Sequence, residues 1–195
     1  IARQLLPGDG PSVGGPLTAA PGIAGVCFTG STEVARLIHR ALADNAAPDA
    51  VLIAETGGLN AMIVDSTALT EQVVRDILAS AFQSAGQRCS ALRILYVQEE
   101  ARDRVMEMLD GAMDALVVGD PWDPATDVGP VIDAEAEAGI RGYLSEQAGA
   151  VVKALPVPTG GRFVPPAIVR VEGIGQLTRE IFGPVLHVAP FRARD

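Results

Sequence analysis

Two side chains in this sequence are placed to do covalent chemistry, Cys89 and Glu55. Cys89 lies in Ser84-Ala85-Gly86-Gln87-Arg88-Cys89-Ser90-Ala91, after a helical pattern and before the strand-like run Leu92 to Val97. A thiol on a short glycine-containing connection between rigid elements is where a nucleophile can stand. A lone cysteine is as readily a small buried hydrophobe. Glu55 closes the apolar run Val51-Leu52-Ile53-Ala54 and is followed by Thr56-Gly57-Gly58. Those glycines allow a ligand or another chain to come close. Attack of a thiolate on a carbonyl makes an oxyanion, for which the Cys89 backbone N–H is one donor. Collapse of the adduct can expel hydride to a nicotinamide placed alongside and leave a thioester. Glu55 can then activate the water that hydrolyses it. A nearby carboxylate disfavours the thiolate, whereas Arg88 favours it. A cysteine protease would need a histidine base, and His39 and His187 have no suggestive neighbours.

The elements that must carry these residues can be read from hydrophobic period. Gly8-Asp9-Gly10 reads as a turn before a weak helix over Pro11 to Leu17; presentation of backbone N–H groups to a phosphate is the alternative. Ile23 to Phe28 is a strand, with Cys27 as a core residue inside it. Thr29-Gly30-Ser31 closes that strand, and a helix follows from Thr32 with Val34, Leu37, Ile38, Ala41 and Leu42 on one face. Ser31 or Thr32 can cap it; the alternative is that Ser31, with the helix N-terminus, forms a pyrophosphate site. Further strands are expected at 51–54, 61–64, 92–97, 150–155, 162–171 and 185–188. Further helices are expected from Thr70, over 99–116 and over 134–148, the last capped by Asp133. Alternation of strands with amphipathic helices implies a largely parallel sheet with ligands at the carboxyl ends of its strands. Glu55, Thr29-Gly30-Ser31 and Cys89 are candidates for that rim.

Composition narrows the partners. A net charge of −9 and 4% aromatic residues argue against nucleic acid and anionic membranes. No apolar run approaches the roughly 18 residues that span a bilayer, and no signal peptide is visible. Cys27 and Cys89 form no disulfide framework, and no Cys/His cluster has zinc spacing, so no metal is expected and a reducing cytoplasm is. The chain opens on Ile1 without a methionine and ends at Asp195 just after a strand-like run, so a longer parent is expected.

Four segments in order, Phe28-Thr29-Gly30-Ser31-Thr32-Glu33, Glu55-Thr56-Gly57-Gly58, Gly86-Gln87-Arg88-Cys89 and Glu180-Ile181-Phe182-Gly183-Pro184, resemble the NAD(P)-dependent aldehyde dehydrogenase superfamily. The resemblance implies Cys89 as nucleophile and Glu55 as the thioester-hydrolysing base. It also implies that Ser31 and Gly30 lie at the cofactor pyrophosphate, and that Glu180 and Phe182 lie at the nicotinamide ribose and ring. Three longer stretches, Arg88 to Arg93, Asn60 to Ala68 and Val118 to Pro124, resemble the L-glutamate γ-semialdehyde dehydrogenase module of bifunctional proline utilisation enzymes. In that branch Ser90 would hold the substrate α-carboxylate, with Arg88 as a favourable neighbouring charge.

The implied fold is α/β. It comprises a three-layer catalytic domain with a largely parallel sheet over 56–195, preceded by the end of a Rossmann-like cofactor domain over 1–55. Further cofactor-binding segments would precede Ile1, and oligomerisation strands would follow Asp195. NAD is the expected cofactor, with NADP open, and FAD would belong to a proline dehydrogenase domain outside this chain. A small aldehyde substrate, that dehydrogenase domain and a homo-oligomer are the expected partners. The excised piece alone is expected to turn over little. A dehydrogenase of unfunctionalised aldehydes and an inert folding or assembly piece stay open.

Overall fold

The computed structural model describes residues 3–46 and 48–193. The terminal residues Ile1 and Asp195 lie outside them. The chain divides into two compact units between Gly57 and Gly58.

In the first unit, Asp9 caps a π-helical turn (Gly10–Gly14) that continues into α1 (Gly15–Thr18). The Asp9 carboxylate accepts from the Ser12 N–H at 2.7 Å and from the Ser12 hydroxyl, so Gly8-Asp9-Gly10 forms a capped turn. Strands β1 (Gly25–Gly30) and β2 (Val51–Thr56) pair in parallel, and α2 (Thr32–Asn45) is the crossover between them. A ribbon of two strands offers the helix a narrow seat. Only Ala35, Ile38 and Leu42 of α2 are buried, while Val34 and Leu37, expected on the core face, are 41% and 61% exposed. The same narrowness corrects the expectation for Cys27. Along β1, Val26 and Phe28 are half-buried, but Cys27 points to the other face and is exposed.

The second unit is built on a five-stranded sheet in the order β3-β4-β7-β6-β5. Its strands are β3 (Ala61–Val64), β4 (Ile94–Gln98), β5 (Val151–Ala154), β6 (Ala167–Arg170) and β7 (Val185–Phe191). All pairs are parallel except β5 with β6. The extended run expected over 162–171 contributes only its last part to the sheet, since Pro165 and Pro166 have no N–H for a ladder. Helices α3 (Thr70–Phe82) and α4 (Glu99–Asp114) pack on each other, and α5 (Ala134–Glu146) follows Asp133, whose carboxylate accepts from the Ala136 N–H at 2.8 Å.

The central strands do not alternate. Ile94, Leu95, Val97 and residues Val185 to Ala189 are all buried, which requires cover on both faces of the sheet. The α4 stripe Ala101, Val105, Leu109, Met113 supplies part of that cover at fourfold spacing. A rigid double-sided core of this kind is what holds the connections at the strand ends in place. Among the described residues, no helix is long and apolar enough to cross a membrane.

Candidate active site

After α3 the backbone reverses through three successive left-handed residues, Ser84 (φ 55°), Ala85 (φ 52°) and Gly86 (φ 66°). Gly86 has a second constraint. A Cβ there would stand 2.5 Å from the Gly183 carbonyl carbon and 2.9 Å from the Ala81 oxygen. The main chains before Cys89 and after Phe182 therefore touch, which only glycine permits. Four residues later a tight turn closes with the Ala91 N–H donating to the Arg88 carbonyl at 3.0 Å, and Cys89 and Ser90 are its two central residues. Both are exposed. The Cys89 N–H donates to no backbone carbonyl among the described residues, as an oxyanion donor requires.

Three side chains fix that turn. Asn60, just before β3, donates its amide to the carbonyls of Cys89 (2.7 Å) and Ala91 (2.9 Å). Gln87 accepts from the Ile132 N–H at 2.8 Å and donates to the carbonyls of Ser84 and Pro130. Arg93, fully buried, donates to the Arg88 carbonyl at 3.1 Å and to the Gly183 carbonyl at 3.1 Å, and meets Glu180 Oε1 at 3.0 Å and 2.9 Å through Nε and Nη2. Its guanidinium carbon also lies 5.3 Å from the centroid of the Phe182 ring. Burial pushes the Arg93 guanidinium down from its usual range, and the Glu180 carboxylate offsets part of that shift.

Glu180 and Phe182 line an open cleft of about 380 Å³ with Gln87, Ile132, Asp133 and Arg179 among its other walls. The structure thus joins the Cys89 segment to the Glu180–Phe182 turn. Arg88 is turned elsewhere: its guanidinium donates to the Ala79 carbonyl in the last turn of α3 at 2.9 Å, a favourable place for a cation.

In the first unit, Ser31 is the N-cap of α2, its hydroxyl accepting from the Val34 N–H at 3.2 Å. That bond uses the oxygen's lone pair and leaves the O–H free to donate to an anion at the helix N-terminus. Glu55 is exposed on β2 and lies in register with Thr29, as Thr56 does with Gly30. The candidates of this unit therefore sit at the carboxyl ends of two parallel strands, as expected.

Cys89 does not follow that rule. It precedes β4, as Asn60 precedes β3 and Gly183 precedes β7, so this cluster gathers at the amino-terminal edge of the parallel strands. The expectation of a carboxyl-end rim fails here because the thiol is carried by the helix-to-strand connection, not by the strand-to-helix one. Arg93, Asn60 and the role of Gln87 were not singled out in the sequence. The signal for Arg93 is an arginine inside the apolar run Leu92 to Val97, where a buried charge must have a partner.

The family model described as the aldehyde dehydrogenase family matches residues 2–195. The bifunctional protein PutA of Klebsiella aerogenes is 49% identical across 98% of this chain, which spans 16% of that protein. A crystal structure of proline utilization A from Bradyrhizobium japonicum superposes with a TM-score of 0.92 at 55% identity, covering 96% of this chain and 19% of that one. The 1-pyrroline-5-carboxylate dehydrogenase of Thermus, solved with bound NAD, gives a TM-score of 0.88 at 32% identity, over 96% of this chain and 38% of the other. The chain thus spans less than two fifths of each of these relatives and nearly all of it matches them; it belongs to the aldehyde dehydrogenase family.

Proposed function

We propose that this chain is the nucleophile-bearing part of a longer NAD(P)-dependent dehydrogenase that oxidises L-glutamate γ-semialdehyde to glutamate. The observation that carries the reading is the exposed Cys89 turn, held by Arg93 against a cleft lined by Glu180 and Phe182. The cleft residues fit the nicotinamide–ribose end of the cofactor. A carboxylate with one oxygen engaged can accept from ribose hydroxyls, and Phe182, 46% exposed, offers a ring to the nicotinamide. Asp133, Glu135 and Glu180 against a single Arg179 make the lining acidic, which suits the cationic oxidised nicotinamide and disfavours phosphates. Gly30 and Ser31, with the N-terminus of the 14-residue α2, suit the pyrophosphate.

In this reading Cys89, as thiolate, attacks the aldehyde carbon, and its own N–H donates to the oxygen of the thiohemiacetal. When bound, the nicotinamide accepts the hydride that leaves that carbon. Glu55 takes a proton from the water that hydrolyses the resulting thioester, which returns the thiol and releases the carboxylic acid. Ser90, beside Cys89 at the turn tip, is the donor for the substrate α-carboxylate. Arg88, committed to Ala79, contributes only its charge at longer range. By the same reading the full-length enzyme is a cytoplasmic homo-oligomer that also carries a FAD-containing proline dehydrogenase domain. The likeness to the 1-pyrroline-5-carboxylate dehydrogenase of Thermus, solved with bound NAD, supports the substrate and cofactor.

In the intact enzyme, Cys89→Ala should abolish NADH formation from γ-semialdehyde, by roughly a thousandfold or more, while leaving the melting temperature unchanged because the side chain is exposed. Glu55→Gln should give a burst of NADH and then stall as the thioester accumulates. Turnover of propanal equal to that of γ-semialdehyde would remove the substrate assignment, and an active Cys89→Ala enzyme would remove the mechanism.

A further inference from the structure

We propose that Arg93 is a positioning residue that sets the Glu180 carboxylate and the Phe182 ring in the pose that receives the nicotinamide riboside, and ties that pose to the nucleophile turn. The inference rests on the reading of the cleft given above and deepens it.

Arg93 does not line the cleft; it stands behind it, fully buried, at the entry to the central strand β4. A buried ion pair is weak evidence for stability, since well-packed apolar residues of similar volume often do as well or better. What an apolar residue cannot do is hold a carboxylate in one orientation. The planar guanidinium has its donors in a fixed fork. Its other bonds, to the carbonyls of Gly183 and Arg88, fix the plane of that fork. Glu180 Oε1 then receives Nε and Nη2, and Oε2 has no donor among the described residues. The acceptor left over is thus presented by a side chain that has already lost its rotamer freedom, which lowers the cost of binding a hydroxyl there. The Phe182 ring rests near the same cation and remains half-exposed on the cleft side.

Because both carbonyls belong to the segments that Gly86 and Gly183 bring together, a shift of the Glu180–Phe182 turn would be felt at Arg88, one residue from the thiol. A lysine would keep the charge but, with a single ammonium on a flexible stem, could not hold the same three groups in one plane.

The test is a double-mutant cycle in the intact enzyme with Arg93→Lys, Glu180→Ala and the pair, reading the NAD dissociation constant by calorimetry, the melting temperature, and KM for NAD against KM for the aldehyde. Arg93→Lys should weaken NAD binding roughly tenfold or more and raise KM for NAD in parallel, with the aldehyde KM little changed. Adding Arg93→Lys to Glu180→Ala should cost much less NAD affinity than Arg93→Lys costs alone, the remainder being the part that acts through the Phe182 ring. If Arg93→Lys does not fold, Arg93→Gln takes its place in the same cycle. A folded Arg93 variant with the parent's NAD affinity, or a cycle in which the two losses add, overturns the role of Arg93 alone. An unmodified enzyme that binds no NAD overturns both this role and the reading of the cleft.

Discussion

The two units of this chain solve the same problem, holding a few polar groups at the end of a parallel sheet, in opposite ways. In the first unit the candidates are backbone ends: the last residues of β1 and β2 and the cap of α2, at the carboxyl edge, with Glu55 and Thr29 side by side in register. Their positions follow from strand pairing alone, and their side chains are exposed. In the second unit the candidates stand at the amino edge, on connections that no ladder fixes. There the work falls to side chains reaching across the sequence, Asn60 over 29 and 31 residues and Arg93 over 87 and 90. A phosphate end needs N–H groups and a helix terminus, which regular structure supplies. A nucleophile must be held in one place against a neighbouring turn, and that takes cross-links.

If that contrast is right, the second unit should be far less tolerant of small additions at its junctions. Gly86→Ala is the sharpest case. The new methyl would collide with the Gly183 backbone in a residue already at φ 66°, and neither neighbour is a flexible side chain. Strain and overpacking together should cost about 4 kcal/mol. Gly30→Ala in the first unit would overlap the tip of the half-buried Phe28 ring (Cζ), with the flanking ring carbons 3.1 Å away; that ring is the far end of a side chain and can turn aside. Its cost should be about 1 kcal/mol or less. Denaturant unfolding of the two variants measures both, and equal losses would end the claim that the junction at Gly86 is special.

Asn60→Ala probes the side-chain clamps directly. It removes two hydrogen bonds, one to the carbonyl of Cys89 itself, and should cost about 1–2 kcal/mol. Ser31→Ala, the matching loss in the first unit, should cost about 0.5–1 kcal/mol. Hydrogen exchange separates the two. Asn60→Ala should raise exchange over residues 84–92 and leave α2 unchanged, whereas Ser31→Ala should loosen only the first turn of α2. Unchanged protection at 84–92 in Asn60→Ala would mean that the turn is held by its backbone and Arg93 without help.

What could be read from the sequence divides along the same line. Elements with a clear pattern, such as the helix expected over 99–116 and the strand Ala61 to Val64, coincide with their expected places. The helix start at Thr32 was legible for the same local reason, and the structure chooses Ser31 over Thr32 as its cap. What failed was non-local. The exposure of Cys27, Val34 and Leu37 depends on how wide a sheet lies beneath them, which no window of sequence reports. The partners of Arg93 lie up to 90 residues away, so an isolated arginine in an apolar run could signal a buried pair without naming it. That Cys89 precedes a strand was legible; that the Glu180–Gly183 turn lies beside it required the strand order, in which β7 inserts beside β4.

A pH effect is the most selective for the second unit. His187 on β7 is 1% exposed, with Nδ1 2.8 Å from the Arg93 carbonyl and Nε2 2.7 Å from the Tyr143 hydroxyl. A carbonyl can only accept, so Nδ1 carries the proton and Nε2 accepts from Tyr143, which makes the ring neutral. Burial holds its pKa below the ordinary 6.5, more than the hydrogen bond to Arg93 raises it, and the Arg93 charge adds to the depression. The unfolded chain therefore binds this proton first. Stability is complete above about pH 6.5 and is lost as pH falls toward the folded value, with a slope that approaches but does not exceed about 1.4 kcal/mol per pH unit. Between pH 7 and pH 5.5 the denaturant midpoint should fall, by no more than that slope allows. His187→Asn keeps a donor for the Arg93 carbonyl but has nothing to titrate, so it should start less stable and show a flatter profile over that range. Asp9 and Asp65, both held below the usual carboxylate value, contribute only at lower pH and leave this window clear. Among the described residues the first unit has no buried histidine, so exchange in α2 and β2 should not follow the pH change seen in β4 and β7. A profile as steep in His187→Asn as in the parent would place the titrating group elsewhere and remove this distinction between the units.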